Sequence, residues 1–159
     1  MTWWGAIAGG AVGAIVVASG LRLAQEAGWT RMDVPLLLGT IFTENRNRAG
    51  AIGYAMHVAL GIAFALVYAA VFAAVGRADW LVGLVLGAVH AAFFGGGLVN
   101  VVLPAVHPRM GTPWTDAEET PLLEPPGFLL RNYGPGTAAV TFALHLAYGA
   151  IVGAFAAGL

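Results

Sequence analysis

Four long stretches of this chain carry no charged residue: 1–21, 49–76, 80–108 and 132–159. Each can form a helix of about 20 residues, the length that crosses a hydrocarbon core of about 30 Å. Only 9% of the residues are charged, whereas a soluble domain carries about 25%. The chain is therefore expected to be an all-α membrane bundle of four transmembrane helices. A soluble enzyme domain and a disordered chain are excluded.

The gaps between charges also give the expected bounds of the helices. The predicted spans cover residues 3–23, 51–75, 80–106 and 137–158 of a single membrane domain, 1–159. The first span is interpreted as a retained helix rather than a signal peptide, because no basic segment precedes it and its apolar run is long. The loops 24–50 and 107–136 are then on the same side of the membrane.

Arginine is distributed unequally between the two sides. The segments 22–50 and 107–136 hold six arginines, and the tight turn before Trp80 holds one. Because cytoplasmic loops carry the excess of basic residues, we predict a multi-pass plasma-membrane protein with both long loops in the cytoplasm and both termini outside. A net charge of −1 offers no basic surface to nucleic acid.

Both long loops contain features beyond simple connections. Residues 32–43 are apolar but too few to span a bilayer, and Pro35 suits the first turn of a short helix. We predict a short re-entrant or interfacial segment there. The second loop holds an acidic run, 116–119, and enough prolines to disfavour a regular helix. These prolines are Pro113, Pro121, Pro125, Pro126 and Pro135.

Glycine recurs at four-residue spacing in three of the predicted helices. Small residues at this spacing let helix backbones approach closely in a membrane. We expect these glycines to pack helices within one chain, although a face on an outer helix could instead serve a partner chain. The predicted packing residues are Gly9, Gly13, Gly83, Gly87, Gly149 and Gly153.

Histidine is the sharpest chemical signal, because three of the four histidines lie inside charge-free spans. His57 and His145 are expected at similar depth below the long-loop side, with Asn100 in the same layer and His90 near the midplane. Such groups usually face the interior of a bundle. They are interpreted as structural donors, as a proton or substrate path, or as metal or haem ligands. No cofactor is favoured among these alternatives.

Catalytic motifs are missing from the sequence. It has no cysteine and one serine, Ser19, and it contains no HExxH or Glu-x-x-His pair. No catalytic residue is predicted, and the sequence favours a protein that is not an enzyme. Polar residues of the two long loops are expected to form a cap above the histidines: Asp33, Glu44, His107, Arg109 and Glu124.

Several phrases resemble a known family. MDVPLLLGTIFT (32–43), HPRM (107–110), EPPGFLLRNYG (124–134) and HLAYGAIVGAF (145–155) are similar to those of an uncharacterised family of small prokaryotic four-helix integral membrane proteins. The resemblance implies the four-helix fold but no activity, substrate or cofactor. It directs attention to the long-loop face, at Asp33, Pro35, His107, Pro108, Arg109, Glu124, Pro125, Pro126, Asn132, Tyr133 and His145.

Two functions remain open at this point. The first is a non-catalytic binding or accessory membrane protein that uses its long-loop face. The alternative is a metal- or haem-binding membrane protein with His57 and His145 as ligands, with or without His90 as a third. The expected partners are the lipid bilayer and either further copies of the chain or a larger membrane complex, with no nucleic acid.

Overall fold

A computed structural model describes residues 1–111 and 123–158. Helices account for nearly all of the regular structure in these two ranges. They are α1 (Trp3–Glu26), α2 (Val34–Gly39), α3 (Arg46–Val75), α4 (Trp80–Phe93), a π-helical segment (Phe94–Val102, the π segment), α5 (Leu103–Val106), a 3₁₀ turn (Phe128–Tyr133) and α6 (Thr137–Ala157).

The predicted fold class is confirmed. Four helical spans are long and apolar enough to cross a membrane: Trp3–Glu26, Arg46–Val75, Trp80–Val106 and Thr137–Ala157. Two of them extend beyond the predicted bounds into charged sequence. The side chain of Asn45 caps the start of α3 by accepting from the Arg48 amide at 3.0 Å, and an Arg22–Glu26 pair at 2.9 Å supports the last turn of α1.

The third span differs in kind from the predicted continuous α-helix. After α4 the backbone changes to π-helical hydrogen bonding through the π segment and returns to an α-helical turn in α5. Gly95, Gly96 and Gly97 begin this stretch, and a Cβ atom added to any of them would meet no neighbouring atom. These glycines do not serve close packing. Their low helix propensity favours a departure from α geometry.

The four long helices form an open arrangement rather than a closed square. α1 and α6 pack against each other in the centre, α3 packs on α1, and α4 packs on α6. α3 and α4 follow each other in sequence through a turn at Gly76, whose φ of +70° is left-handed, yet they scarcely touch. The two flanking helices are therefore separated over most of their length.

The predicted packing glycines lie at the contacts of α6. A side chain at Gly83 would collide with the carbonyl oxygen of Gly149, and one at Gly87 would collide with that of His145. Gly9 and Gly13 of α1 face Phe155 and Tyr148 of α6. Close backbone approach thus joins α6 to both of its neighbours within one chain.

The short apolar segment of the first loop forms α2 and does not span. Asp33 caps it by accepting from the Leu36 amide at 2.9 Å, and α2 packs on the first turns of α3, where Gly53 approaches the Pro35 carbonyl. The first long loop meets the start of α6 through a buried hydroxyl pair, Thr30 and Thr137, at 2.7 Å. The predicted acidic run, together with Pro113 and Pro121, lies outside the described residues.

Candidate functional site

A cavity of about 380 Å³ occupies the space between α3 and the π segment. α1 and α6 form its floor, and α2 closes the end that faces the long loops. The volume falls in the range of about 300–1,000 Å³ that is typical of small-molecule sites. The separation of the two flanking helices therefore creates a space that a ligand can fill.

The walls of the cavity are almost wholly apolar. α3 contributes Leu60 and Phe64, the π segment contributes Leu98 and Val102, and α2 contributes Leu37. No Asp, Glu, Lys or Arg lines the cavity in the part of the chain that the structure describes. A charged ligand would lose its hydration there without compensation, so the walls favour an apolar molecule.

All three histidines predicted within the spans line this cavity. His57 Nε2 lies 3.1 Å from the Ala14 carbonyl oxygen, and His145 Nδ1 lies 2.8 Å from that of Thr141. His90 Nδ1 lies 3.2 Å from the Tyr68 hydroxyl. One nitrogen of each ring is therefore held by protein, which fixes the orientation of the ring.

The rings of His90 and His145 also belong to an aromatic cluster that forms the base of the cavity. The ring centroids of His90 and His145 are 4.7 Å apart at an interplanar angle of 82°, and Phe64 packs 4.2 Å from His90. Tyr148 stands edge-on to both His90 and Tyr68. Such edge-to-face contacts add to the rigidity of the base.

Two tyrosines of this cluster were not predicted from the sequence. The Tyr68 hydroxyl binds His90, and the Tyr148 hydroxyl donates to the Gly61 carbonyl. A signal was present in their spacing. Tyr148 follows His145 by three residues, and Tyr68 follows His57 by eleven, which places each tyrosine on the same helix face as its histidine.

Asn100, predicted in the histidine layer, has a different role. Its amide nitrogen donates to the Gly95 carbonyl at 2.5 Å, five residues earlier, and so supports the π segment from within. In residues 1–111 and 123–158, two buried side-chain polar atoms have no hydrogen-bond partner: Asn100 Oδ1 and Thr141 Oγ1. Thr141 lines the cavity.

The metal and haem interpretation stays a prediction. Across the described ranges, no group of three or more His, Cys, Asp or Glu side chains is arranged to hold a metal ion. The three imidazoles share one cavity, but each has one nitrogen engaged by a backbone carbonyl or a tyrosine hydroxyl. The arrangement can orient and hydrogen-bond a small molecule.

His107 and Arg109 form one part of the predicted polar cap, together with Glu44. His107 is buried and donates from Nε2 to the Leu37 carbonyl at 3.0 Å, while its Nδ1 accepts from the Arg109 amide at 3.1 Å. The Arg109 guanidinium donates to the Thr40 carbonyl at 2.7 Å and lies 3.4 Å from Glu44. These bonds satisfy carbonyls at the end of α2 and hold α2 over the cavity.

Burial changes the pKa of two side chains in the predicted cap region. It lowers the pKa of His107, although the hydrogen bond to the Leu37 carbonyl opposes this shift. Glu124 lies in a second polar group, where it is 3.9 Å from Arg31. Burial there, with the Glu124 charge, raises the pKa of Tyr133 to about 12. The structure thus divides the predicted cap into two polar groups, while Asp33 serves as the cap of α2.

The chain matches no protein-family model, no curated protein and no solved structure. The resemblance to the prokaryotic four-helix family therefore stays a prediction, and function has to be argued from the cavity itself.

Proposed function

We propose that this protein is a non-catalytic integral membrane binding protein that holds a small apolar molecule of the bilayer in the cavity between α3 and the π segment. The single observation that carries the proposal is the cavity: about 380 Å³ of space with apolar walls and a few polar groups that face it. Sites of this composition are typical for small ligands.

Entry from the bilayer follows from the helix arrangement. α3 and α4 are joined near the cavity base by the contacts of His90 with Tyr68 and Phe64 and scarcely touch elsewhere. Their outward faces carry exposed apolar side chains such as Val67 and Val85, which suit contact with lipid. An apolar molecule dissolved in the membrane therefore reaches the cavity between these helices without crossing water.

The long-loop face serves in this proposal as the closed end of the site. α2, held by His107 and Arg109, covers the cavity where the polar layer of the membrane would begin. We place this face in the cytoplasm of a plasma-membrane protein, because six of the seven arginines lie on it. The exposed faces of the flanking helices are the surfaces that a second copy or a larger membrane complex would contact.

The proposal is tested by analysing what purifies with the protein. We expect mild-detergent extracts to contain an apolar molecule near one equivalent per chain. Leu98→Trp, which fills the cavity, should remove it. Val101→Trp is the matched control, since Val101 lies in the same π segment but is 67% exposed and does not line the cavity.

Two results of this experiment would contradict the proposal. One is wild-type protein without such a molecule, and the other is equal retention in Leu98→Trp and Val101→Trp. An absorbance spectrum and elemental analysis of the same preparation test the metal and haem alternative, which requires a Soret band or a stoichiometric transition metal.

A further inference from the structure

The protonation of the histidines that line the cavity indicates which hydrogen-bonding group of a ligand they can pair with. A backbone carbonyl only accepts hydrogen bonds. The contact of His145 Nδ1 with the Thr141 carbonyl therefore places the ring proton on Nδ1. In the neutral imidazole the other nitrogen, Nε2, is then an acceptor.

His57 has the opposite tautomer for the same reason. Its Nε2 contacts the Ala14 carbonyl at 3.1 Å, so the proton is on Nε2, and Nδ1 is the acceptor. An imidazolium would require a counter-ion, and no carboxylate lines the cavity among the described residues. The apolar walls thus favour the neutral ring at both positions.

The two acceptor nitrogens are open to a ligand. Neither has a hydrogen-bond partner in the described ranges, and neither is among the atoms there that are buried without a partner, which are Asn100 Oδ1 and Thr141 Oγ1. His57 Nδ1 and His145 Nε2 are therefore reachable from the space that their residues line.

The third ring does not limit this conclusion. The Tyr68 hydroxyl either donates to His90 Nδ1 or accepts from it, so the remaining nitrogen of His90 is either a donor or an acceptor. A hydroxyl group on the ligand suits both cases, since it donates one hydrogen bond and accepts others. A ketone, ester or ether oxygen only accepts and leaves both His57 and His145 unpaired, whereas a hydroxyl group donates to one of them.

We infer that the cavity selects apolar molecules that carry a hydroxyl group, such as a long-chain or isoprenoid alcohol, over hydrocarbons, ethers and ketones of the same size. This inference rests on the proposed function, because it names the ligand class of the same cavity. The observation that carries it is the pair of carbonyl-fixed tautomers, His57 and His145, in a space without charge.

The experiment compares two isomers, dodecanol and methyl undecyl ether, with tridecane, which has the same number of heavy atoms. Each competes against a diazirine-labelled tridecane for the protein in phosphatidylcholine nanodiscs. A hydrogen bond to an otherwise unpaired acceptor is worth about 1 kcal/mol, so dodecanol should compete about fivefold better than the ether. The ether and tridecane should be nearly equal.

Variants identify the acceptors. One hydroxyl group donates to only one nitrogen at a time, so the double variant His57→Phe/His145→Phe should lose the preference for dodecanol, and the single variants show which nitrogen the alcohol uses. Competition by tridecane should be little changed in all three variants. Val89→Phe is the control for the added ring, because Val89 is next to His90 but is exposed on the outer face of α4. The wild-type comparison of the isomers decides the inference even where a histidine variant does not fold.

The outcomes separate this inference from the proposed function. Equal competition by all three compounds would overturn the selection for hydroxyl groups while supporting an apolar binding site. A preference for dodecanol that persists in the double variant His57→Phe/His145→Phe would overturn the assignment to these rings. Labelling that none of the compounds reduces would overturn both the inference and the proposed function.

Discussion

The two ends of the third span use glycine in opposite ways. In α4, Gly83 and Gly87 lie against the backbone of α6, where an added Cβ would collide with a carbonyl oxygen. In the π segment, Gly95 to Gly97 face open space. One group of glycines brings two helices together, and the other lies where the span leaves α geometry beside a cavity.

The structural role of a glycine therefore depends on which atoms a side chain at that position would contact. The α4–α6 contact is a rigid frame that holds His145 and Tyr148 in place. The π segment and α3 form the two sides of a gap that the chain itself leaves unfilled. Close packing of α4 on α6 therefore stands beside a gap between α3 and the π segment.

The largest expected effect breaks the frame. Gly83→Val should destabilise the protein by about 3 kcal/mol, because the new side chain collides with the Gly149 carbonyl and cannot be accommodated by a rotamer change. The measurement is reversible unfolding in mixed detergent and SDS. The matched substitution Gly96→Val should change the free energy of unfolding by less than about 1 kcal/mol. Equal losses would remove the contrast between the two groups of glycines.

The second prediction concerns the closure of the open side. His107→Leu should cost about 2 kcal/mol, since it leaves the Leu37 carbonyl and the Arg109 amide without their partner. His107→Gln can still donate to the Leu37 carbonyl, so its loss of stability should be smaller than that of His107→Leu. A variant as stable as the wild type in the same unfolding assay would show that His107 does not hold α2 in place.

The same residue gives a pH dependence with a defined sign. Because the pKa of His107 is lowered by burial, the unfolded chain binds its proton more tightly, near the ordinary pKa of about 6.5. The stability that the neutral His107 side chain contributes to folding is complete above about pH 6.5 and is lost as the pH falls below this value. The stability difference between wild type and His107→Gln should therefore shrink on acidification. A difference that is constant across this range would contradict the account.

A smaller effect on stability is expected when the π segment is given a stronger preference for the α-helix. Replacing Gly96 by Ala should raise stability by about 1 kcal/mol, because alanine favours the α-helix. The same change should reduce ligand retention as the span shifts from π to α hydrogen bonding. Amide hydrogen exchange of residues 94–102 measures the first effect, and increased exchange there would contradict it.

The smallest effect is expected for an ion pair on α1, which lies outside both the α4–α6 contact and the π segment. The Arg22–Glu26 pair is exposed on α1, so a double-mutant cycle with alanine should give a coupling of about 0.5 kcal/mol or less. This value sets the scale for a surface contact. A coupling as large as the loss from His107→Leu would mean that the cap bonds are no stronger than an exposed ion pair.

Much of the fold could be predicted from the sequence, because charge cannot be placed inside a bilayer without cost. The gaps between arginines and carboxylates gave the third span its observed ends, Trp80 and Val106. The change to π geometry could not be predicted in this way, since hydropathy does not report the register of backbone hydrogen bonds. The run of three glycines, and Pro104 just after the segment, were its visible signals.

The candidate site was predictable only in part. Similar depth of His57 and His145 indicated an inward-facing polar layer, and both residues line the cavity. The cavity itself depends on how far α3 lies from the π segment, which is a non-local property of packing. Glu124 shows the same limit, because loop composition could not reveal that it faces Arg31 rather than joining Arg109.

The most direct test of the central claim is a map of saturable photolabelling by diazirine-labelled tridecane in nanodiscs. We predict that unlabelled tridecane suppresses labelling at cavity residues on both walls, such as Phe64 and Leu98. Labelling at the outward residues Val67, Val85 and Val101 should persist, because these contact bulk lipid. Labelling that is confined to the outward faces, or that competitor leaves unchanged everywhere, would contradict the existence of a ligand site between α3 and the π segment.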